Sequence, residues 1–284
     1  MKFYYFGGNF KKGEITRLEQ HRFDGVMFVY DAVLGDVFTR IARDIRLNEK
    51  IKYLVAIRPY AISPQYLCMI NKSINSIMPN RLQINLISGY IKDHEASFGG
   101  IMGNVDDNSS RIDRSNYLID YVYTLNTMPG NQNKPTLDFY TSTTNEYVFN
   151  ATAEFDNKMI LPYRDYKNKY WTVMNGDRGQ DVGSSFDIAG RKIMLAITPI
   201  IRKTQEELDM SEEYAQRPLW KNGEKQGKVT DIEYFTYEEF DNFIKQLEAE
   251  GIHEILMNGH QEEERENLIS FIKQYRELGL AKNS

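Results

Sequence analysis

Eight short apolar segments recur along this chain, and stretches with helical spacing separate most of them. The eight segments are residues 2–6, 25–30, 52–59, 81–89, 136–143, 158–163, 192–201 and 254–259. Apolar runs of this length are typical of buried strands. Strands that alternate with helices favour a parallel sheet, and eight such units favour an α/β fold of the (β/α)8 TIM-barrel type. An open doubly wound sheet is the alternative, although no glycine-rich dinucleotide fingerprint follows the first strand.

Residues that favour helix starts stand before some of the intervening segments. Asp36 precedes an apolar stripe at helical spacing over residues 37–45, and Ser63 with Pro64 forms a typical first turn. Further helices are predicted at residues 14–23, 111–128, 145–155, 204–215, 236–251 and 263–278. Residues 165–189 show no clean helical stripe, so the sixth helix is expected to be missing or reduced.

Two polar stretches interrupt the alternation. Residues 90–110 are rich in glycine, asparagine, aspartate and serine, and residues 216–235 form a second polar insertion. A long structureless stretch inside a compact domain is usually functional or disordered. We therefore expect a single domain over residues 1–284, with residues 90–110 as a candidate lid over an active site.

The charge balance and the lack of long apolar runs argue against several classes of protein. The 284 residues carry 40 acidic and 35 basic side chains, a net charge of −5, which is unlike the basic footprint of a nucleic-acid-binding protein. No run approaches the roughly 18 apolar residues that a membrane helix needs. The first residues lack the apolar segment of a signal peptide, so we expect a cytoplasmic protein with no membrane or nucleic-acid partner.

The sequence offers no support for disulfide or metal chemistry. Cys68 is the only cysteine, and it lies in a helical pattern where a lone cysteine usually packs as a small hydrophobic residue. The four histidines show no ligand spacing; they are His21, His94, His253 and His260. No metal site is therefore expected.

Six segments that span most of the chain carry a family resemblance. They are FDGVMF, KYLVAIRPYAISP, NRLQINLISGY, FYTSTTNEYVFNATAEFDNKMI, GRKIMLAITPIIRKTQEEL and GIHEILMNGHQEEERENLISF. In this order they resemble the bacterial luciferase-like monooxygenases, and most nearly the alkanesulfonate monooxygenase branch. The resemblance implies a TIM barrel that uses reduced FMN, or in some branches a deazaflavin, to handle O2 and a small organic substrate. It also implies a separate NAD(P)H:flavin reductase that supplies the reduced flavin.

The loop after the fifth predicted strand is a candidate site for the flavin phosphate. Hydroxyl groups are concentrated there, on Thr141, Ser142, Thr143 and Thr144. The helix that follows would offer free backbone N–H groups and the positive end of its dipole. The resemblance places the phosphate at this loop, and an ordinary serine or threonine helix cap is the alternative.

The end of the fourth predicted strand departs from the luciferases. An arginine at that position helps to hold the phosphate in luciferase, and here Ser88, followed by Gly89, takes its place. Both residues remain candidate cofactor contacts by the resemblance. The positive charge must then come from elsewhere, or the cofactor binds more weakly.

The third predicted strand ends in a charge, a proline and a ring. The resemblance places Val55 and Ala56 beneath the flavin, where the family often has a non-prolyl cis peptide. Arg58 and Tyr60 follow, and the carboxyl ends of barrel strands form the active face. Arg58 is therefore a candidate catalytic residue, with a surface ion pair as the alternative, and Tyr60 is a candidate substrate contact.

Several positions depart from the alkanesulfonate monooxygenases. Leu34 replaces a cysteine after the second strand, and Ala196 and Thr198 replace an arginine and a histidine in the seventh. His260 replaces a tyrosine after the eighth strand. The desulfonation reaction is therefore not expected. His260 is a candidate catalytic acid or base near neutral pH, and a helix-start residue is the alternative.

Polar residues elsewhere complete the candidate site. Asp31 follows the second predicted strand, Tyr163 ends the sixth, and His94 lies in the candidate lid. All three are candidate substrate contacts, although His94 could simply be solvated.

Two functions fit these residues. The first is a monooxygenase that uses reduced FMN and O2 on a small organic substrate. The second is a flavin- or ligand-binding barrel with reduced or no catalysis, because polar residues of the family are replaced and two helices are weak. The family also implies a homo-oligomer paired through helices after the second and third strands, while core packing explains the stripe over residues 37–45 equally well.

Overall fold

The computed structural model describes residues 1–8, 10–11, 13–29, 35–87, 111–128, 137–142, 146–152, 155, 158–168, 171–175, 178–182, 191–215, 220–221, 224–225, 232–259 and 262–282. The strands in these ranges are β1 (Lys2–Gly8), β2 (Gly25–Val29), β3 (Lys52–Ile57), β4 (Leu82–Ile87), β5 (Asp138–Ser142), β6 (Lys158–Pro162), β7 (Trp171–Asn175), β8 (Arg178–Val182), β9 (Ile193–Arg202), β10 (Trp220–Lys221), β11 (Glu224–Lys225), β12 (Ile232–Thr236) and β13 (Glu254–Asn258). The helices are α1 (Glu14–Gln20), α2 (Val37–Asp44), α3 (Pro64–Ile77), α4 (Arg111–Thr127), α5 (Glu146–Ala151), α6 (Tyr163–Asn168), α7 (Gln205–Ala215), α8 (Tyr237–Ala249) and α9 (Glu262–Lys282). Short 3-10 turns occupy Ile45–Leu47 and Pro59–Ala61. None of the described helices combines the length and the apolar character needed to span a membrane.

Parallel strands close into a ring. Each of the strands β1 to β5 pairs with the next along the chain, β6 pairs with β9, β9 pairs with β13, and β13 returns to β1. The last seam brings Lys2 opposite Glu254. The predicted (β/α)8 TIM barrel is therefore confirmed, and the open doubly wound sheet is excluded. Each of the eight predicted apolar segments supplies one strand of the ring.

Short strands outside the ring were not predicted. Strands β7 and β8 form an antiparallel pair within residues 165–189, and α6 before them has six residues, so the sixth helix is reduced as expected. Residues 216–235, expected to be a polar insertion, contain β10, β11 and most of β12. Strand β12 pairs in parallel with Thr198–Arg202 of β9, beyond the stretch of β9 that pairs with β13. Strand β9 therefore continues past the ring as half of a two-stranded extension.

Side-chain caps fix the predicted helix starts. Asp36 Oδ1 accepts a hydrogen bond from the Thr39 N–H at 2.7 Å, and Ser63 Oγ accepts one from the Tyr66 N–H at 3.2 Å. Each cap satisfies one of the backbone donors that a helix start leaves without an intrahelical partner. Both predicted starts are therefore confirmed.

Alternation along the strands divides the hydrophobic core in two. One face of each strand packs against the helices, and the other faces the barrel axis. The buried inner cluster on the barrel axis comprises Tyr4, Met27, Leu54, Ala56, Tyr140, Ile160, Met194 and Leu256. The stripe over residues 37–45 belongs to the outer layer, where Val37, Phe38, Ile41 and Ile45 are buried, so this stripe is explained by core packing.

A polar network closes the amino-terminal end of the barrel interior. Tyr4 Oη donates to Gln83 Oε1 at 2.9 Å, and Gln83 Nε2 donates to Asp138 Oδ2 at 2.6 Å. Tyr140 Oη donates to Glu254 Oε2 at 2.7 Å. Tyr4, Gln83 and Tyr140 have no exposed surface, so among the described residues these side chains close this end of the interior.

Two lysines balance the carboxylates of this network. Lys2 Nζ lies 2.8 Å from Glu254 Oε1, and Lys158 Nζ lies 2.8 Å from Asp138 Oδ1. Burial raises the pKa of the Tyr140 phenol far above its usual value, so it stays a neutral donor. A network with its donors and charges matched in this way can be buried at little net cost.

One carboxylate ties the segment before β3 to α1. Glu19 accepts hydrogen bonds from the N–H groups of Glu49, Lys50 and Ile51, at 3.0 Å for Glu49 and 2.7 Å for Ile51. Burial alone would raise the pKa of Glu19, but the three amide donors, with help from Arg81, lower it below its usual value of 4.5. The ionised carboxylate is therefore favoured in the folded state.

Replacing Glu19 with glutamine should lower the free energy of unfolding by about 1 kcal/mol at neutral pH, because a charged acceptor is lost. A depressed folded-state pKa contributes stability above 4.5, and this contribution disappears as pH falls through the folded-state pKa. Urea denaturation from pH 7 to pH 3 should therefore show the two proteins converging in acid. Glu49→Gln removes the same charge from an exposed side chain, so it should leave stability nearly unchanged. If the difference in free energy of unfolding between the unmodified protein and Glu19→Gln stays constant across this pH range, the proposed role of the ionised Glu19 is wrong.

Candidate functional site

The carboxyl ends of the ring strands form a shallow floor. Seven of the eight ring strands end their interior face with a half-buried side chain, and these are Phe6, Val29, Ile87, Ser142, Pro162, Ala196 and Asn258. We call these seven side chains the rim floor. The inner cluster beneath them is buried, so this layer is where the barrel interior meets solvent. Active sites of TIM barrels lie at this end of the strands.

The rim floor is apolar and uncharged. Five of its members carry only hydrocarbon side chains, and Ser142 and Asn258 are neutral polar residues. Ala196 on β9 has only a methyl group and is half-buried. A surface of this kind suits a flat, largely uncharged ring system with a few hydrogen-bonding positions. It offers no acid or base of its own among these seven side chains.

Ser142 lies on the interior face, where it contacts a residue that was not predicted. Ser142 Oγ donates to Oδ1 of Asn85 at 2.8 Å, and Asn85 on β4 is only 1% exposed. A signal for Asn85 was present in the sequence, because Gln83 and Asn85 alternate with apolar residues along β4. Polar side chains at alternate strand positions share one face, here the barrel interior.

Of the other predicted phosphate contacts, one is buried away from the rim and the rest lie outside the described residues. Thr141 is fully buried and lies on the opposite face of β5 from Ser142, the face on which Phe139 packs against the helices. Thr143, Thr144, Ser88 and Gly89 lie outside the described residues. Helix α5 begins at Glu146 and has six residues, so its dipole is short. Of the four hydroxyl groups predicted at this loop, Ser142 is the one that the structure places at the rim.

The third strand places its two predicted cofactor residues on different faces. Ala56 belongs to the inner cluster, whereas Val55 packs in the outer layer against the helices. The described residues contain no cis peptide bond, so the bond between Val55 and Ala56 is trans, unlike the cis peptide that the family often has there. Of these two residues, only Ala56 presents its side chain toward the barrel interior.

Arg58 is a buried cation at the rim. Its backbone is extended (φ −96°, ψ 130°), so it continues the alternation of β3 on the face of Ala56. The residue is 5% exposed, so its side chain is buried, and an ion pair stays the alternative to a catalytic role. Its carbonyl accepts a hydrogen bond from the Ala61 N–H at 2.9 Å and so begins the 3-10 turn. A buried guanidinium at this position suits an anionic group of a ligand.

The two predicted tyrosines pack against helices. Tyr60 is 4% exposed and packs with Ala61 and with Tyr117 of α4. The Tyr163 ring meets the Phe243 ring of α8 edge to face, with 5.1 Å between centroids. Burial raises the pKa of Tyr163. These contacts give both rings a packing role, and contact with a substrate stays a prediction.

The remaining predicted site residues cannot be placed. Asp31, His94 and His260 lie outside the described residues, as does the candidate lid at residues 90–110. Ala196 and Thr198, which replace an arginine and a histidine of the alkanesulfonate branch, are half-buried on β9. Within the part of the chain that the structure describes, no group of three or more histidine, cysteine, aspartate or glutamate side chains could hold a metal ion.

A buried ion pair that was not predicted occupies the opposite side of the rim. Arg202 ends β9, and its Nη2 lies 3.3 Å from Glu264 Oε1 and 3.0 Å from Glu263 Oε1 in the first turn of α9. Its Nη1 donates to the Ile201 carbonyl at 3.0 Å. TIM barrels often bind phosphate beside their seventh and eighth strands, at a helix N-terminus. The glutamates of α9 disfavour an anion there, so an anionic group fits better near Arg58 and β5.

Comparisons with known proteins agree on the architecture. No protein-family model matches the sequence, and no curated protein matches it. The EDTA monooxygenase EmoA from Chelativorans sp. BNC1 aligns with a TM-score of 0.65 at 9% identity, over 97% of this chain and 93% of that chain. The long-chain alkane monooxygenase LadA aligns with a TM-score of 0.61 at 11% identity, over 98% and 92%.

A third solved structure extends the set beyond monooxygenases. The coenzyme F420-dependent tetrahydromethanopterin reductase from Methanopyrus kandleri aligns with a TM-score of 0.59 at 10% identity, over 96% of this chain and 97% of that chain. Identities this low show a shared fold. The chain therefore has, over nearly its whole length, the TIM-barrel fold found in two monooxygenases and an F420-dependent reductase.

Proposed function

We propose that this protein is a flavin-dependent oxidoreductase of the luciferase-like group, and specifically a monooxygenase. It would use reduced FMN, with a deazaflavin as the alternative cofactor, to react O2 with a small organic substrate. The observation that carries the proposal is the apolar, uncharged rim floor at the carboxyl end of a closed ring. The shared fold with two monooxygenases and an F420-dependent reductase supports it.

The residues present fit a flavin. The hydrocarbon side chains of Phe6 and Ile87 would contact the faces of a planar ring, and Ala196 would allow it to approach the floor. Ser142 and Asn85 offer hydrogen bonds beside it. Arg58 would hold an anionic group on the same side. The bound flavin would supply the chemistry that activates O2.

The chain itself would bind, orient and exclude water. The rim floor carries no acid or base, and the end of the barrel below it is closed by the network of Tyr4, Gln83 and Tyr140. A ligand on the floor is therefore shielded from solvent on its lower side. His260 and residues 90–110 remain our candidates for an acid or base and for a lid over the upper side.

A flavin-binding barrel with reduced or no catalysis is the second candidate. Helices α5 and α6 have six residues each, and Ala196 and Thr198 stand where the alkanesulfonate branch has an arginine and a histidine. These observations favour a barrel that lacks the polar catalytic residues of the family and keeps the rim floor for binding. Fold alone does not decide between the two.

Partners follow from the proposed reaction. An NAD(P)H:flavin reductase would supply reduced flavin in the cytoplasm, and a second copy of this chain would pair through α2 and α3. The apolar stripe of α2 is buried in the core, so exposed apolar side chains for pairing would come from α3. On α3, Tyr66, Met69 and Ile77 are more than half exposed, and Tyr66 and Met69 line a groove of about 570 Å³ between the two helices. Exposed apolar side chains beside a groove support pairing there.

Flavin binding is the first test of the proposal. We expect the purified protein to quench FMN fluorescence in a saturable titration, or to bind a deazaflavin if that is its cofactor. Ala196→Phe would fill the rim floor and should abolish binding, whereas Ala249→Phe adds the same side chain to an exposed position on α8 and should not. Failure of the unmodified protein to bind either cofactor would overturn the proposal.

Oxygen uptake distinguishes the two candidate functions. With FMN, NADH and a flavin reductase present, an active monooxygenase should consume O2 faster when its substrate is added. A panel of uncharged alkyl, thioether and aromatic compounds matches the apolar floor. Flavin binding without any substrate-stimulated uptake would support the non-catalytic barrel instead.

A further inference from the structure

Within the described part of the chain, the carboxamide of Asn85 forms one hydrogen bond, through its oxygen. Asn85 lies on the interior face of β4, is 1% exposed, and accepts one hydrogen bond through Oδ1 from Ser142. A carboxamide also carries two N–H donors, and burying them without an acceptor is costly. Among the described residues, none accepts a hydrogen bond from Asn85 Nδ2.

Two positions earlier, Gln83 has a side-chain amide whose oxygen and nitrogen both form hydrogen bonds. Gln83 Oε1 accepts from Tyr4, and Gln83 Nε2 donates to Asp138 and lies 3.3 Å from Tyr140 Oη. Both ends of Gln83 are therefore used. Gln83 and Asn85 share a strand and a face, so the difference between them lies in what surrounds each amide.

Asn85 has a small neighbour and an apolar neighbour on the interior face. Its partner across the β3–β4 ladder is Ala56, which has only a methyl group. Ile87, the next residue on the same face, is a half-buried member of the rim floor. An amide donor with no acceptor among the described residues therefore lies just below an apolar floor, beside a small residue.

We propose that Asn85 donates a hydrogen bond from Nδ2 to a carbonyl oxygen or ring nitrogen of a flavin on the rim floor. Ser142 is then a positioning residue, because its hydrogen bond to Oδ1 fixes the plane of the carboxamide. The inference rests on the proposed flavin binding and assigns a residue to it. Ser142 would then orient Asn85 rather than bind the phosphate.

The test uses the purified protein and oxidised FMN, with two readouts that need no turnover. One is the dissociation constant from fluorescence quenching, and the other is the absorption maximum of bound FMN, which responds to hydrogen bonds on the ring. Asn85→Leu keeps the volume but removes the donor. It should raise the dissociation constant about two- to tenfold, the value of one neutral hydrogen bond, and shift the absorption maximum.

Further variants separate the roles of the two side chains. Ser142→Ala leaves the amide but frees its plane, so its effect should be in the same direction and smaller, and Ser142→Thr should restore the original spectrum. Gln83→Leu is the matched control on the same strand and face. It should cost stability through loss of the lower network while leaving both the dissociation constant and the spectrum unchanged.

The outcomes distinguish this inference from the proposed function. Flavin binding by the unmodified protein, with Asn85→Leu and Ser142→Ala both matching it in affinity and spectrum, would overturn the inference alone. The absence of flavin binding by the unmodified protein would overturn both. Thermal melts show whether Asn85→Leu is folded; if it is not, Ser142→Ala, which removes only a half-buried hydroxyl, decides the question.

Discussion

Replacing Gly25 with alanine should lower the free energy of unfolding by about 3 kcal/mol, the upper end of the usual cost of overpacking. A methyl group at this position would lie 2.3 Å from Cε1 and 2.4 Å from Cδ1 of the Tyr4 ring. Tyr4 has no exposed surface, and its hydroxyl is held by Gln83. The ring cannot move without breaking the network that closes the lower end of the barrel.

Urea denaturation with a second glycine as control measures this effect. Gly13 has a left-handed backbone (φ +84°) and nothing within 4 Å of an added methyl group, so Gly13→Ala should cost only about 1 kcal/mol of backbone strain. Removing the whole ring, in the double variant Gly25→Ala with Tyr4→Ala, should give a loss of stability smaller than the sum of the losses from the two single changes. Equal stability of the Gly25→Ala and Gly13→Ala proteins would contradict the steric explanation.

Replacing Arg202 with methionine should cost about 3–5 kcal/mol, because it leaves Glu264 buried without its cation. The side chains of Arg202 and Glu264 are 7% and 8% exposed, so water replaces little of the lost interaction. The pair also joins the end of β9 to the first turn of α9. We therefore expect the variant to unfold at lower urea concentration and to lose order at this side of the rim.

Two further variants test whether the buried charge is the cause. Glu263 also contacts Arg202, but its side chain is 68% exposed, so Glu263→Gln should change stability by less than about 0.5 kcal/mol. Replacing both Arg202 and Glu264 with methionine removes both charges and should recover most of the loss. A double variant as unstable as Arg202→Met would show that packing, rather than an unpaired charge, accounts for the effect.

The eight-stranded ring was predictable because the sequence patterns that identify its strands and helix starts are local. Apolar runs such as residues 52–57 and 82–87 identify strands by themselves, and Asp36 and Ser63 mark helix starts through contacts only three residues away. Strand β12 gave no such signal. All five of its residues are half-buried, and it follows a polar stretch, so only its pairing with β9 defines it.

The candidate site was predictable only in part, for two physical reasons. In β3 the run from Tyr53 to Ile57 is apolar throughout, so the sequence does not show which residues face the barrel axis, and the prediction included Val55 with Ala56. The other reason is distance along the chain. The contact between Asn85 and Ser142 spans 57 positions, and that between Arg202 and Glu264 spans 62. No spacing rule connects such residues before the strands are paired.

The sealed lower end of the barrel has a kinetic consequence. Two molecules that use the same opening cannot exchange independently when one lies beneath the other. A flavin resting on the floor would have to arrive before the organic substrate and would be retained until the product had departed. Steady-state measurements should therefore show a compulsory order of addition, and excess substrate should slow the release of flavin from the ternary complex.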